Sequence, residues 1–330
     1  MKTPTKPKGS ANIRQLRNIP YEMYHYLCRK RLGMSRAQYI AYKRYEKYER
    51  VFLSECYIRD DGRVNLTHLE TDIVIGCNLR CRHCSHLSPY RNGYVPTEKM
   101  IPWFETWSKK IRPYGFYLLG GEPFLHPDLA TVITEAHRIW DSSALELVTN
   151  GLLIPRASQN IFDALRKTKV RVSISDHSGI DLPHERIVAA CDCLKENGVP
   201  YGVQPSNTTW YVHHKLDENN TPSPFQSVPQ DAWSGCIAKY CPSLAGNRLY
   251  KCAVLAGIIE SVEKNAFPAS HWKDALTYSP LLPDADAGTI LEHFHSGFVK
   301  ECSVCPNELM LTGAIQMPLP RMPQYARAIK

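Results

Sequence analysis

The chain has 330 residues, 43% hydrophobic and 22% charged, the ordinary balance of a globular protein. No apolar run approaches the roughly eighteen residues that cross a bilayer, and Met1–Ser10 is basic and lacks an apolar core, so no signal peptide is expected. The formal charge of +8 is uneven: residues 1–50 hold thirteen Lys/Arg and three Asp/Glu, a local +10, and the rest carries −2. Twelve cysteines without an export signal argue for a reducing compartment and metal binding rather than disulfides, so a cytoplasmic location is expected.

Residues 1–12 read as a tail. From Tyr21 to Phe52 the chain is rich in Tyr, Lys and Arg at helical spacing, with a break at Gly33 and Ser35 capping a second helix. Two readings stand: a nucleic-acid arm of basic and aromatic residues, or a solvated amphipathic helical pair packed on the body of the protein. Asp60-Asp61-Gly62 reads as a turn between short strands at Ser54–Ile58 and Arg63–Leu66. Ile73–Ile75 reads as a buried strand ended by Gly76.

A regular alternation follows. Thr97 is expected to cap a helix running to Lys110. Strands are predicted at Phe116–Leu119, Leu145–Thr149, Val170–Ser175 and Tyr201–Gln204. Helices are predicted at Asp128–Trp140, Ala157–Thr168 and His184–Asn197. This order implies parallel strands with helices outside and ligands at the carboxyl ends of the strands. Prolines at 205, 222, 224 and 229 mark a long irregular connection in which Trp210, Tyr211, His213 and His214 are candidate substrate contacts. Leu244–Leu249 reads as a hairpin turning at Gly246-Asn247.

Three cysteines, Cys77, Cys81 and Cys84, follow the first strand at spacing C-x3-C-x2-C. Thiolates so spaced converge on one inorganic centre, and soft sulfur favours zinc or an iron–sulfur cluster. The bland alternative is three packing cysteines. Zinc motifs pair one C-x2-C with another nearby, and here the three stand alone. Gly120-Gly121-Glu122-Pro123 follows the second strand, where glycine permits close backbone approach and Glu122 adds an anion. Thr149-Asn150-Gly151 ends the third strand and Ser175-Asp176 the fourth.

Together these motifs resemble the radical S-adenosylmethionine (SAM) enzymes over roughly residues 70–205. The resemblance implies a partial (β/α)6 TIM-like barrel, an α/β fold, with a helical N-terminal extension and a small cysteine-rich C-terminal domain. It implies boundaries at 1–68, 69–207, a connecting loop at 208–235, and 236–330. It implies a four-iron four-sulfur cluster on Cys77, Cys81 and Cys84, with SAM on the fourth iron. His83 takes the place of the family's aromatic residue before the third cysteine. Gly120, Gly121, Glu122 and Pro123 match the motif that receives the SAM amino group. Asn150 orders the loops near SAM. Ser173, Ser175 and Asp176 share the ribose-contact position, though His177-Ser178-Gly179 departs from the usual glycine after the acid, and Gln204 is a further candidate cofactor contact. No catalytic residue beyond the cluster is implied.

A second set, Cys236, Cys241, Cys252, Cys302 and Cys305, resembles the twitch domain, a shortened relative of the SPASM domain. That implies one auxiliary cluster on four of the five, with Cys236 and Cys241 competing for the first place. A structural zinc site is the alternative. Cys28, Cys56, Cys191 and Cys193 read as packing residues.

The implied chemistry is reductive cleavage of SAM to a 5′-deoxyadenosyl radical that takes hydrogen from a peptide or small polar, sugar-like substrate. A donor such as flavodoxin or ferredoxin would supply the electron. Two other functions compete: RNA modification through the basic arm, and non-enzymatic binding of zinc or an iron–sulfur cluster.

Overall fold

The computed structural model describes residues 50–178, 182–205 and 210–312. The described residues belong to the unit Arg50–Lys330. The basic arm, its expected helical pair and Cys28 lie outside the described residues, except for a helical end at 50–55. That helical end replaces the strand expected from Ser54. Only Ile58 pairs, in an isolated bridge with Val64 across the Gly62 turn.

The body alternates as expected. β1 spans Val64–Val74, α1 Thr97–Trp107, β2 Ile111–Gly120, α2 Leu129–Ile139, β3 Ala144–Thr149 and α3 Gln159–Thr168. Then come β4, Arg171–Asp176, α4, Glu185–Glu196, and β5, Tyr201–Pro205. β1 to β5 pair in parallel, each with its sequence neighbour. α2 shows why these segments fold as they do. Its buried Leu129, Val132, Ile133 and Ala136 recur at i, i+3, i+4 and i+7, one face of a helix. Phe104 of α1, Phe116 of β2 and Trp140 after α2 meet at centroid distances of 5.1–6.5 Å. Burying each such ring contributes roughly 1.5–3 kcal/mol.

Two local expectations change. The strand at the cysteine loop is far longer than Ile73–Ile75, because Arg63–Leu66 and Ile73–Val74 belong to one element, β1; it starts at Val64, inside the stretch assigned to the extension. Thr97 does not cap α1. Pro96 holds the cap position, and the Thr97 hydroxyl is buried without a partner.

The connection after β5 contains short strands β6, Trp210–Tyr211, β7, Lys215–Leu216, and β8, Pro222–Ser223, then α5, Pro229–Gly235. The predicted hairpin is present as β9, Ser243–Ala245, and β10, Arg248–Tyr250. Gly246 and Asn247 both have positive φ, the geometry of a tight hairpin turn. The hairpin does not form a sheet of its own. β9 pairs in parallel with β1, giving one seven-stranded sheet in the order β10-β9-β1-β2-β3-β4-β5. α6, Ala253–Glu263, is buried on nearly every side, as an all-round apolar helix must be. α7 covers Ala287–His295. β11, Leu311–Thr312, pairs with β6 and so holds Trp210 and Tyr211 in place.

Candidate cofactor site

A cavity of about 310 Å³ lies at the carboxyl ends of the parallel strands. One wall carries Cys77, Cys81, His83 and Cys84. Gly120 and Gly121 at the end of β2, Thr149 and Asn150 at the end of β3, and Ser175 and His177 at the end of β4 also line it. Trp210, Tyr211 and His213 line it as well, so three of the four candidate substrate contacts reach it. His214 stands behind, its ring centroid 5.3 Å from that of His83.

The two glycines exist because backbone crosses backbone. Gly120 has φ +129, and a methyl group there would overlap the Val74 carbonyl oxygen; one on Gly121 would overlap that of Gly76. The same contact is a hydrogen-bonded seam: Gly121 N–H donates to Val74 O (2.8 Å) and Glu122 N–H to Gly76 O (3.0 Å). Cys77 follows Gly76, so the end of β2 sets the start of the cysteine loop. Gly121→Ala is expected to cost about 1–3 kcal/mol by overpacking and to lower the iron content of purified protein. Chemical denaturation with an iron assay checks both; an unchanged iron content would mean that the seam does not position the loop.

Glu122 has a different place from the one expected. It is fully buried and outside the cavity lining. Its carboxylate accepts from Thr149 Oγ1 (2.6 Å), Asn150 N–H (2.9 Å) and Phe124 N–H (3.1 Å). Burial pushes its pKa up, and these three donors oppose the rise. Glu122 therefore braces β2 against β3 and places Asn150. Asn150 in turn donates from Nδ2 to Asn78 Oδ1 (2.7 Å) and lies 3.8 Å from Cys77 Sγ.

Ser173, Asp176, Gln204 and Pro123 also lie outside the lining. Gln204 donates to Ser173 Oγ (3.2 Å) lower on β4, and Asp176 accepts from Ser178 N–H (2.8 Å). Pro123 is buried at the start of a short 3-10 helix. Ser175 alone of the expected ribose set reaches the cavity, because side chains alternate along a strand, although Ser173 shares its face lower down.

Sequence reasoning missed a buried charge network under the loop. His86 lines the cavity and its Nδ1 lies 2.9 Å from Asp72 Oδ1. Burial lowers the His86 pKa, but the Asp72 carboxylate prevails and holds it up at about 10; Asp72 itself is held below the usual carboxylate range. Arg91 donates to Glu260 of α6 (2.6 Å) and to His86 O (3.2 Å). The spacing of Asp72 and His86 across a loop, and of Arg91 and Glu260 across 169 residues, gives no local signal.

The donor set fits an iron–sulfur cluster with a polar ligand beside it. Leu79 N–H donates to Cys77 Sγ (3.3 Å), as amides do around bound thiolates. Burial, then Glu122, pushes the Cys77 thiol well up, and Cys84 and Cys81 push it further. A bare thiol therefore stays protonated, and metal binding there releases protons. His83 Nδ1, Ser88 Oγ and His177 Nδ1 are buried on the cavity wall without partners. Native proteins rarely leave such atoms orphaned unless a ligand or water completes them.

The second cysteine set is sorted by the fold. Cys305 sits in the C-terminal core, and Cys236, Cys252 and Cys302 pack against it. Cys236, Cys252 and Cys302 each act on the Cys305 thiol. Amides of Ala238 and Lys239 bond to the Cys236 sulfur, and those of Leu255 and Val254, at the start of α6, to Cys252. Lys251 lies buried beside this group, donating to His293 O (2.6 Å) and Ser296 Oγ (2.8 Å). Cys241 lies outside that core, with a donor atom within 4.8 Å of His68 and Glu70, although Glu70, Cys236 and Cys252 all act on its thiol. Of the four cysteines read as packing, Cys56 is buried, while Cys191 and Cys193 are half-buried on α4.

A strand-end cavity with three converging cysteines defines a protein built around a metal cluster and a polar cofactor. Residues 72–219 match the Radical SAM superfamily, an enzyme class that uses a four-iron four-sulfur cluster and SAM, so this stretch is a radical SAM domain. Among curated proteins it is similar to the GTP 3′,8-cyclase of Staphylococcus haemolyticus (strain JCSC1435), 26% identical over 148 residues, covering 42% of this chain and 43% of that enzyme. The chain thus spans under half the length of that relative. Among solved structures it is similar to BtrN in complex with AdoMet and 2-DOIA (14% identity, 74% of this chain and 98% of that one, TM-score 0.42). It is also similar to anSMEcpe with bound AdoMet and the Cp18Cys peptide (19%, 43% of each chain, TM-score 0.34).

Proposed function

We propose that this chain is a radical SAM enzyme acting on an uncharged, hydrogen-bonding substrate, a peptide or a sugar-like molecule, with a second cluster beside the substrate space. The carrying observation is the cavity wall. Among the described residues none of its lining side chains is Asp, Glu, Lys or Arg. Its one cation, His86, is already paired with Asp72. A nucleoside triphosphate or an RNA backbone calls for basic side chains, so the reading differs from that of the cyclase. The matched stretch of the cyclase is little more than the shared domain and carries no substrate argument.

Cys77, Cys81 and Cys84 would hold the first cluster and the backbone of Gly120 and Gly121 would face SAM. When bound, the cluster and SAM together supply a carbon radical that removes hydrogen from the substrate. The residues of the chain bind, orient and exclude water. Trp210 and Tyr211, held by β11, form the apolar lip. Ser85, Ser88 and Ser175 offer hydroxyls. Cys236, Cys252, Cys302 and Cys305 would hold the auxiliary cluster. Ile237, next to Cys236, lines the main cavity, and a small cavity of about 10 Å³ is lined by Tyr211, His213, Cys236 and Cys305. That proximity suits acceptance of a second electron or orientation of the substrate. An external donor of the flavodoxin or ferredoxin type and a reducing, cytoplasmic setting complete the reading. Among the described residues no helix is long and apolar enough to cross a membrane.

The test is 5′-deoxyadenosine formation by anaerobically reconstituted, reduced protein. Panels of neutral peptides and polyols are expected to stimulate it, and GTP is not. Stimulation by GTP with none by the neutral panels would overturn the substrate class.

A further inference from the structure

Cys241 lies outside the core that gathers the other four cysteines, although Cys236 and Cys252 also act on its thiol, and its surroundings are specific. His68 and Glu70 lie at i and i+2 on β1 and so share one face of the sheet. Glu70 N–H donates to Pro242 O (3.0 Å) and Glu70 registers with Ser243, which brings Cys241 alongside. One donor atom from each of His68, Glu70 and Cys241 lies within 4.8 Å of the other two. His68 Nε2 is 3.0 Å from Glu70 Oε2, and their side chains are 14% and 9% exposed. Tyr117 roofs the group, its ring stacked on His68 at 4.4 Å; Gly115 below leaves room, since a Cβ there would lie 2.9 Å from the tyrosine ring.

We propose that His68, Glu70 and Cys241 form a mononuclear site for a divalent cation of the zinc class, separate from both cysteine clusters. The donors are one soft sulfur, one imidazole and one carboxylate, a mixture that suits zinc. Charge favours it as well. A thiolate beside a carboxylate in a niche this enclosed is strongly disfavoured alone, and burial with Glu70 pushes the Cys241 thiol well up. A dication balances both anions: the thiol proton leaves to solvent, the sulfur–metal bond forms, and no redox partner is needed. Three protein ligands leave one position for water. The ion would also have structural work. β1 and β9 share a single register pair, Glu70 with Ser243. A bridging metal would pin the C-terminal hairpin to the barrel strand that leads into the cysteine loop. The proposal does not depend on the substrate reading.

Zinc and iron are measured together on full-length protein purified anaerobically from zinc- and iron-supplied cells. About one zinc per chain is expected, with an X-ray absorption edge showing one sulfur among nitrogen and oxygen neighbours. Glu70→Gln, His68→Gln and Cys241→Ser should each lose most of the zinc and leave iron unchanged. Glu70→Gln keeps the side-chain shape, so at least one variant should remain folded. Absence of zinc from wild-type protein even after incubation with Zn²⁺ would overturn the proposal. So would zinc surrounded by four sulfurs, or an iron loss in Cys241→Ser, which would return that residue to the auxiliary cluster.

Discussion

Replacing Cys77, Cys81 and Cys84 together by alanine is expected to remove about four irons per chain, the content of one cubane cluster, and to reduce 5′-deoxyadenosine formation to background. The three sulfurs share one cavity wall, and the loop that carries them is anchored at Gly76 by β2 and at Asn78 by the Asn150 side chain (2.7 Å). Nothing else on that wall offers a thiolate, so no neighbour can substitute. The protein should still fold, because β1 and its charge network through Asp72, Arg91 and Glu260 lie outside the deleted atoms. Iron and sulfide analysis with product chromatography checks both effects. A triple variant that still made 5′-deoxyadenosine at the wild-type rate would refute the assignment.

The second large effect concerns the C-terminal four. Replacing Cys302 and Cys305 with alanine should halve the iron while leaving the spectrum of the SAM-binding cluster. Cys236→Ala should do the same, and Cys241→Ala should not. Burial raises all four thiols of the group, Cys236 to about 11. The unmetallated group is therefore neutral, and the last cysteines are tied to the connection by Phe225 N–H and Ser227 N–H bonds to Val304 O and Ser303 O (2.9 and 3.0 Å) and by the pairing of β11 with β6. Substrate turnover should fall much further than uncoupled SAM cleavage, since the first site is built without these residues. Equal iron loss from Cys236→Ala and Cys241→Ala would show that the fold has not separated them.

Glu122 looks like a ligand-facing acid beside two glycines, and its motif gives no hint that Thr149 and the Asn150 amide, 27 and 28 residues on, claim both carboxylate oxygens. Ser173, Ser175 and Asp176 were equivalent in the sequence; the pleat of β4 and the height of the cavity bring only Ser175 to the wall. In the sequence, Cys236 and Cys241 competed for one ligand place. β9 pairs with β1 and Cys241 lies beside Glu70, whereas Cys236 packs against the core that holds Cys305.

By itself the sequence determined what is local. Apolar periodicity set the alternating strands and helices, Gly246-Asn247 set the hairpin, and C-x3-C-x2-C placed three sulfurs on one short loop, because each of these depends on residues a few positions apart. Tertiary structure decided which polar groups face the cavity, which cysteines lie in the C-terminal core, and how Asp72, His86, Arg91 and Glu260 balance their charges beneath the loop. Those outcomes turn on partners brought together from distant segments, where burial makes an unpaired charge or an orphaned donor costly, and no local pattern encodes which distant group will answer it.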